Sequence, residues 1–303
     1  MTYSIIARDP QTGTFGAAAQ SHFFAVGSVL AWAEAGHGVV ATQAFVNPSY
    51  GRLGLRLMSS GTTSSEAMAQ LIRRDPGAAM RQVAMIDASG TVATHTGARC
   101  VMYAGHVSGD QVSAQANMMT SSRVWPAMLA AYREAQGDMA HRLMASLKAG
   151  EDAGGDVRGR QSACILVVAG EPAESGGGKV VDLRVDDNEE PLVELERLLT
   201  LHEQYGVLER LLAEGMLTRS LTEKELAVVV ARLRAAQAIL GDVNQEFTFW
   251  RAMVLARAGR VPEAREAIAE AASRHGGWKE MLKRLPAAGL LPLPAEQVDA
   301  LLP

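Results

Sequence analysis

The sequence predicts an α+β fold followed by an all-helical region, and three observations carry that prediction. Apolar stretches of strand character fall in groups, helical stretches arrive in pairs between them, and past Glu189-Glu190-Pro191 the pattern is helical alone. Paired helices between groups of antiparallel strands do not describe single βαβ crossovers. Two sheets packed face to face, each covered by a helix pair in a four-layer αββα sandwich, fit the order better. Residues 1–188 are therefore expected to form that domain, and residues 189–303 a small helical one.

Taken in order, "TYSIIARDPQTGTFGAAAQS" reads as a hairpin turned at Asp9-Pro10-Gln11-Thr12-Gly13. Pro presets its own φ there, and Gly tolerates the left-handed region. Two or three further strands are expected in "HFFAVGSVLAWAEAGHGVVATQAF". Asn47-Pro48 reads as an N-cap and first helical position opening "SYGRLGLRLMSSG". Ser64 and Ser65 can cap "EAMAQLIRRD", which stops before Pro76. A hairpin turned at Ala88-Ser89-Gly90 follows, then "CVMYAGHVSGDQVSAQANMM" in the same manner. Two helices run from about Ser122 to Ala149 with a break at Gly137-Asp138, and "RQSACILVV" and "KVVDLRVDD" close the region as strands. The tail has helix-turn-helix spacing that resembles a tetratricopeptide-like repeat. With only about one and a half units visible, it is expected to need the first domain, a second copy or a protein partner to cover its apolar face.

Composition narrows the function classes. With 303 residues and 48% hydrophobic content, the chain has enough material for ordinary cores without disulfides or metals. A net charge of -4 and no Lys/Arg run argue against nucleic acid. No apolar stretch approaches the ~18 residues of a membrane span. No charged n-region, apolar h-region and cleavage site stand in front of the first strand, so a cytoplasmic protein without a leader is expected. Cys100 and Cys164 sit far apart in apolar runs and read as inert buried thiols. The seven histidines show no metal-ligand spacing, no phosphate loop or Gly-x-Ser-x-Gly elbow occurs, and neither metal nor cofactor is expected.

Four ordered stretches carry a more specific signal: "YSIIARDPQTG", "FFAVGS", "ATQAFVNPSYG" and "GGDVRGRQSA". Over residues 2 to about 188 they resemble the domain of unknown function 1028 family, which belongs to the N-terminal nucleophile (Ntn) hydrolase-like group. The resemblance implies a fold in which the residue exposed after Met removal supplies a nucleophilic hydroxyl and, through its α-amine, the base. Thr2 fits that role, although a small residue at position 2 is common in any protein. Ser4 projects to the same face, as a supporting polar group or an alternative nucleophile.

Proteasome-like members of the fold use an Asp and a Lys near the nucleophile. Here Gln20 or Ser21 would stand in for the Asp, and no Lys is at hand. His22 is a base, a substrate contact or a structural residue. "ATQAFVNPSYG" places a strand end before a helix N-terminus, where Gln43, Asn47 and Tyr50 would line an oxyanion hole or simply cap the helix. "SAQANMM" resembles the stretch that supplies a further polar contact, which adds Gln115 and Asn117. "AGGDVRGRQSAC" surrounds Asp156, Arg158, Arg160 and Gln161 with glycines at a strand entrance, and its Arg pair would favour a carboxylate-bearing substrate. Two readings stand: an amidohydrolase acting on a small amide or peptide through Thr2, and an inactive Ntn-fold scaffold or ligand-binding protein with a helical interaction tail.

Overall fold

The computed structural model describes residues 2–172, 178–242 and 244–302. Met1, whose removal the N-terminal nucleophile reading requires, lies outside them. Among the described residues the chain folds as mixed α+β, with antiparallel sheets and ten α-helices. No helix among these described residues is long and apolar enough to cross a membrane.

The strands are β1 (Thr2–Arg8), β2 (Phe15–Ser21), β3 (Ala31–Glu34), β4 (Gly38–Ala44), β5 (Arg81–Asp87), β6 (Val92–Thr96), β7 (Gly105–Gly109), β8 (Val112–Asn117), β9 (Ser162–Val168) and β10 (Lys179–Val185). Six form one sheet in the order β10-β9-β2-β1-β8-β7, and four form a second in the order β3-β4-β5-β6. The helices of the same region are α1 (Ser49–Ser59), α2 (Ser64–Arg74), α3 (Val124–Glu134) and α4 (Met139–Asp152).

Alternation along β1 decides what faces what. Tyr3, Ile5 and Ala7 point to α3 and α4, in a cluster with Met128, Leu143 and Leu147. Thr2, Ser4 and Ile6 point the other way, and Ile6 joins Val39, Ala41, Ala84 and Ile86 of the four-stranded sheet. The outer face of that sheet, through Val40, Val83 and Met85, meets Tyr50, Leu55 and Met68 of α1 and α2. Each fully buried Val, Leu, Ile or Met side chain in these clusters contributes about 1.5–3 kcal/mol.

Local signals explain the helix ends. Thr63, not Ser64 or Ser65, caps α2 through a capping box with Glu66, and Ser64 is buried as the first helical residue. Its hydroxyl donates to the Thr91 carbonyl at 2.8 Å. Pro48 rather than Asn47 occupies the cap of α1, while Asn47 Oδ1 accepts from the Ser49 amide at 3.1 Å. Asp138 caps α4 through the His141 amide, at the break the sequence suggested.

The chain divides into two compact units, Met1–Leu199 and Thr200–Pro303. The division falls inside helix α5 (Pro191–Ala213) instead of at 188/189. Leu192, Leu195 and Leu199 belong to the cluster that holds Val181 and Val185, so the first turns of α5 extend the first unit. The second unit continues with α6 (Glu223–Leu240), α7 (Glu246–Arg257), α8 (Val261–Arg274), α9 (Gly277–Arg284) and α10 (Ala295–Ala300). It has its own core, with Leu211, Leu233, Phe247, Met253, Ile268 and Leu282 all buried. The expectation that the tail could not enclose its own apolar face is thus corrected, because its helices bury these side chains in a cluster of their own.

Candidate functional site

Five neutral polar side chains meet between the two sheets at the end where β1 starts. Ser4 from β1 donates to Gln43 Oε1 on β4 at 2.7 Å and accepts from Gln115 Nε2 on β8 at 2.6 Å. Gln43 Nε2 donates to Gln82 Oε1 on β5 at 2.7 Å and to the Thr2 carbonyl at 3.2 Å. Asn117 Nδ2, from β8, also reaches Gln82 Oε1 at 3.0 Å and lies 3.4 Å from the Thr2 carbonyl. Gln82 Nε2 in turn serves the Ala116 carbonyl at 2.9 Å and Thr96 Oγ1 at 2.9 Å. All five are buried. The network is satisfied across the sheets, as a buried polar cluster must be, with one exception: Asn117 Oδ1 is buried without a hydrogen-bond partner.

Thr2 lies at the open end of this seam. Its Oγ1 donates to Ser21 Oγ of β2 at 3.0 Å, and its register partners are Ser21 on one side and Asn117 on the other. A pocket of about 270 Å³, its open mouth included, begins at Thr2. Thr42 and Gln43 supply the rest of its polar wall, and Phe23, Val26, Val29, Leu30, Ala44 and Val46 supply the apolar one.

Backbone strain collects at the same end. Ala25, Ala44 and Met118 hold φ of 52°, 67° and 58°, the left-handed region that L side chains disfavour. They follow β2, end β4 and follow β8, beside Thr2 and its strand partners. Such strain persists where surrounding structure over-determines it, and it gathers at functional sites.

A second group sits on the other face of the six-stranded sheet. Tyr3 Oη donates to Glu151 Oε2 at 2.7 Å and Gln20 Nε2 to the same oxygen at 2.5 Å. Burial and then the Glu151 carboxylate push the Tyr3 phenol well above its ordinary range. The glycine-flanked loop closes against this group. Arg160 pairs with Glu151 at 2.7 Å and with Glu190, and the hydrogen bond to Glu151 is the main cause of its raised pKa. Arg158 forks onto Asp156, with Nε 3.1 Å and Nη2 2.8 Å from the carboxylate oxygens. Asp156 Oδ2 also accepts from the His22 amide at 3.2 Å, and His22 Nδ1 lies 3.2 Å from the Arg160 carbonyl. Gln161 Nε2 donates to Asp187 at 3.1 Å, while its backbone amide holds the Ser21 carbonyl at 3.1 Å. Both guanidinium groups are spent on carboxylates of the chain itself, which removes the argument for a carboxylate-bearing substrate.

The sequence-derived residues therefore separate into three places. Thr2, Ser4, Gln43, Gln115 and Asn117 share the seam, and His22, Asp156, Arg158, Arg160 and Gln161 form the loop group beside Ser21. Asn47 and Tyr50 line a different cleft, with Leu53, Leu71, Arg74 and Asp75. Tyr50 Oη donates to Asp75 Oδ2 at 3.1 Å, and burial raises its pKa further than the nearby Asp75 does. The helix turns Tyr50 to the outer face of the four-stranded sheet, so it and Asn47 do not line the Thr2 pocket with Gln43. Cys164 is buried, which pushes its thiol up to about 12, whereas Cys100 is half-buried and donates to the Arg81 carbonyl at 3.3 Å.

Gln82 is the residue that motif reasoning missed. A signal existed, because Gln82, Ala84 and Ile86 alternate onto one face of β5 and the other two are apolar core. A glutamine in line with them needs an amide partner. Val46 gave no comparable signal.

A Silicibacter pomeroyi protein whose crystal structure is described with the DUF1028 family model superposes with a TM-score of 0.60 and 31% identity, over 65% of this chain and 84% of that chain. No curated protein matches. Residues 2–195 match the family described as "Family of unknown function (DUF1028)", and with that match over more than half its length the chain belongs to the DUF1028 family.

Proposed function

We propose that the first unit is an N-terminal nucleophile type hydrolase of small amides, with Thr2 exposed as the first residue by removal of Met1. The helix pair, sheet, sheet, helix pair order of its clusters is read as the Ntn sandwich. The observation that carries the reading is the placement of Thr2: its hydroxyl opens on a pocket at the polar end of the seam, one strand from the unpartnered Asn117 Oδ1. That oxygen supplies an acceptor for an N–H of the freed α-amine, and Ser21 Oγ orients the Thr2 hydroxyl.

In the proposed reaction the α-amine takes the Oγ1 proton as Oγ1 bonds to the amide carbon. The tetrahedral oxyanion then collapses, the C–N bond breaks, and the proton passes to the leaving nitrogen. Water attacks the resulting ester, giving a proton back through the amine to Oγ1 and releasing the acid. An α-amine titrates at about 7.7–8.0, so turnover should rise with pH through that range and level off above it.

Intact mass and N-terminal sequencing of native protein test the first step, with Thr2 as the expected first residue. Thr2→Ala should lower amide hydrolysis by about 10³-fold or more and, through the lost hydrogen bond to Ser21, cost stability about 0.5–1.5 kcal/mol. Unimpaired turnover by protein that keeps Met1 would sink the mechanism and move the nucleophile to another residue such as Ser4, whereas no turnover at all would favour a ligand-binding role for the same pocket.

A further inference from the structure

We infer that the pocket beside Thr2 takes a short, uncharged, branched aliphatic group, so that the amides hydrolysed are those of small apolar acids. The substrate half of this statement rests on the reading of Thr2 as nucleophile. The pocket half stands on the lining alone.

Among the pocket's side chains only Thr2, Thr42 and Gln43 carry polar atoms, and none is charged. Thr42 Oγ1 is committed to the Asn47 carbonyl at 3.3 Å. Gln43 is committed at both ends, its Oε1 to Ser4 and its Nε2 to Gln82 and the Thr2 carbonyl. A polar occupant would lose its water and find little in exchange, and a charged one would lose far more.

Nor does the rim offer compensation. The glycine-flanked loop beside Ser21 has Arg158 on Asp156 and Arg160 on Glu151 and Glu190, and Arg81, the strand partner of Ala44, is committed to Asp75 and the Phe45 carbonyl. Large apolar side chains face solvent at this end: Phe23 is 46% exposed and Phe45, between the pocket residues Ala44 and Val46, is 53% exposed. Exposed large apolar side chains gathered at a pocket mouth mark a surface for an apolar ligand.

Size is limited by what stands behind the walls. Val26 and Leu30 are fully buried members of the inter-sheet core. The Val26 amide is tied to Ser162 Oγ at 3.1 Å and the Ala25 amide to the Asp186 carbonyl at 2.9 Å. A wall pinned in this way does not retreat, since packed cores resist small displacements. Val29 and Val46 are only half-buried, which makes them the positions where the pocket can be reshaped.

The test uses the full chain, with isovaleramide, phenylacetamide and succinamate as probes in calorimetric titration and the matching 4-nitroanilides as hydrolysis substrates. Isovaleramide should bind at least about tenfold more tightly than succinamate. Val29→Phe should weaken isovaleramide by about tenfold or more, and Val46→Ala should improve phenylacetamide, with circular dichroism confirming that both variants fold. Succinamate binding as tightly as isovaleramide, or isovaleramide indifferent to both variants, overturns the inference. The two readings separate on Thr2→Ala: isovaleramide should still bind while hydrolysis disappears. Selective binding without hydrolysis by the wild type supports the pocket and sinks the nucleophile alone. Thr2-dependent hydrolysis that prefers the succinyl anilide does the reverse.

Discussion

The seam between the two sheets has two ends, and they are built on opposite principles. Away from Thr2, Ile6, Phe15, Ala17, Val39, Ala84 and Ile86 close it with apolar side chains that need no specific partner. At the Thr2 end Ser4, Gln43, Gln82, Gln115 and Asn117 close it with amides and a hydroxyl, each of which must find another in correct geometry. An apolar seam tolerates small changes in sheet spacing, whereas an amide seam holds one spacing and loses heavily when a member is removed. The polar end thus commits stability to one inter-sheet spacing at the strand end that carries Thr2, beside a pocket and three left-handed residues.

Removing one residue from each end gives the largest expected effects. Ile86→Ala should cost about 2–5 kcal/mol through its cavity. Gln43→Leu removes no comparable volume, yet leaves the Ser4 hydroxyl without its acceptor and takes one donor each from Gln82 Oε1 and the Thr2 carbonyl, and should cost about 1–3 kcal/mol. Urea unfolding midpoints at constant m-value measure both. A nearly neutral Gln43→Leu would break the comparison, because it would mean that water or rotation replaces the lost bonds.

Acid provides a second, intermediate test. The amide seam cannot itself respond to mild acid, but the outer face of the four-stranded sheet can. Arg81 holds Asp75 at 2.8 Å, and that hydrogen bond is the main cause lowering the carboxyl to about 2. A folded-state pKa below the unfolded value contributes stability above the unfolded pKa, near 3.9, that is lost as pH falls toward the folded one. Between about pH 4 and pH 2 the protein should lose roughly 1–2 kcal/mol from this site, and Asp75→Asn should flatten the profile there. An unchanged acid limb in Asp75→Asn would move the sensitivity to another carboxylate, such as Asp87 with its Ser89 and Ser64 hydrogen bonds.

The smallest effect sharpens the strain at the Thr2 end. Ala44 has φ of 67°, so Ala44→Gly relieves about 1–2 kcal/mol of backbone strain and gives back about 0.5–1 in chain entropy. Thermal melting should show a net gain within about 1 kcal/mol. If instead Ala44→Gly destabilises, the Ala44 methyl in the pocket wall is worth more than the strain it imposes.

Much of the fold was legible because its signals are local. Period-2 alternation, turn glycines and caps marked β1, β2, the β5–β6 hairpin and the break at Asp138 before any long-range contact was known. The misplaced cap of α2 shows the limit. Thr63, Ser64 and Ser65 are all competent caps, and Ser64 is excluded by a tertiary fact, its burial against the Thr91 carbonyl. The boundary at 188/189 failed to anticipate α5 for a related reason: composition changes there, but Leu192, Leu195 and Leu199 are claimed by the first core.

The site was legible only where alternation speaks. Thr2, Ser4, Gln115 and Asn117 lie on faces that one strand's pattern defines, so their convergence needed only the pairing of β1 with β8. Which residues would face them from the other sheet was not written in either strand. Gln82 was passed over because nothing near it in sequence looks functional, and Tyr50 was included because it follows Gln43 closely in sequence, although a helix turns it to the opposite face. The Arg158 and Arg160 pair looked available because charge is visible in a sequence and its neutralisation is not. Glu151 and Glu190 are 9 and 30 positions from Arg160. The sequence by itself determined the elements, their faces and the hydroxyl at the start of β1, because backbone propensity and alternation act over a few residues. Only the tertiary structure decided which amides meet, which charges cancel and which wall closes the pocket, because those depend on the relative placement of strands that the chain brings together from far apart.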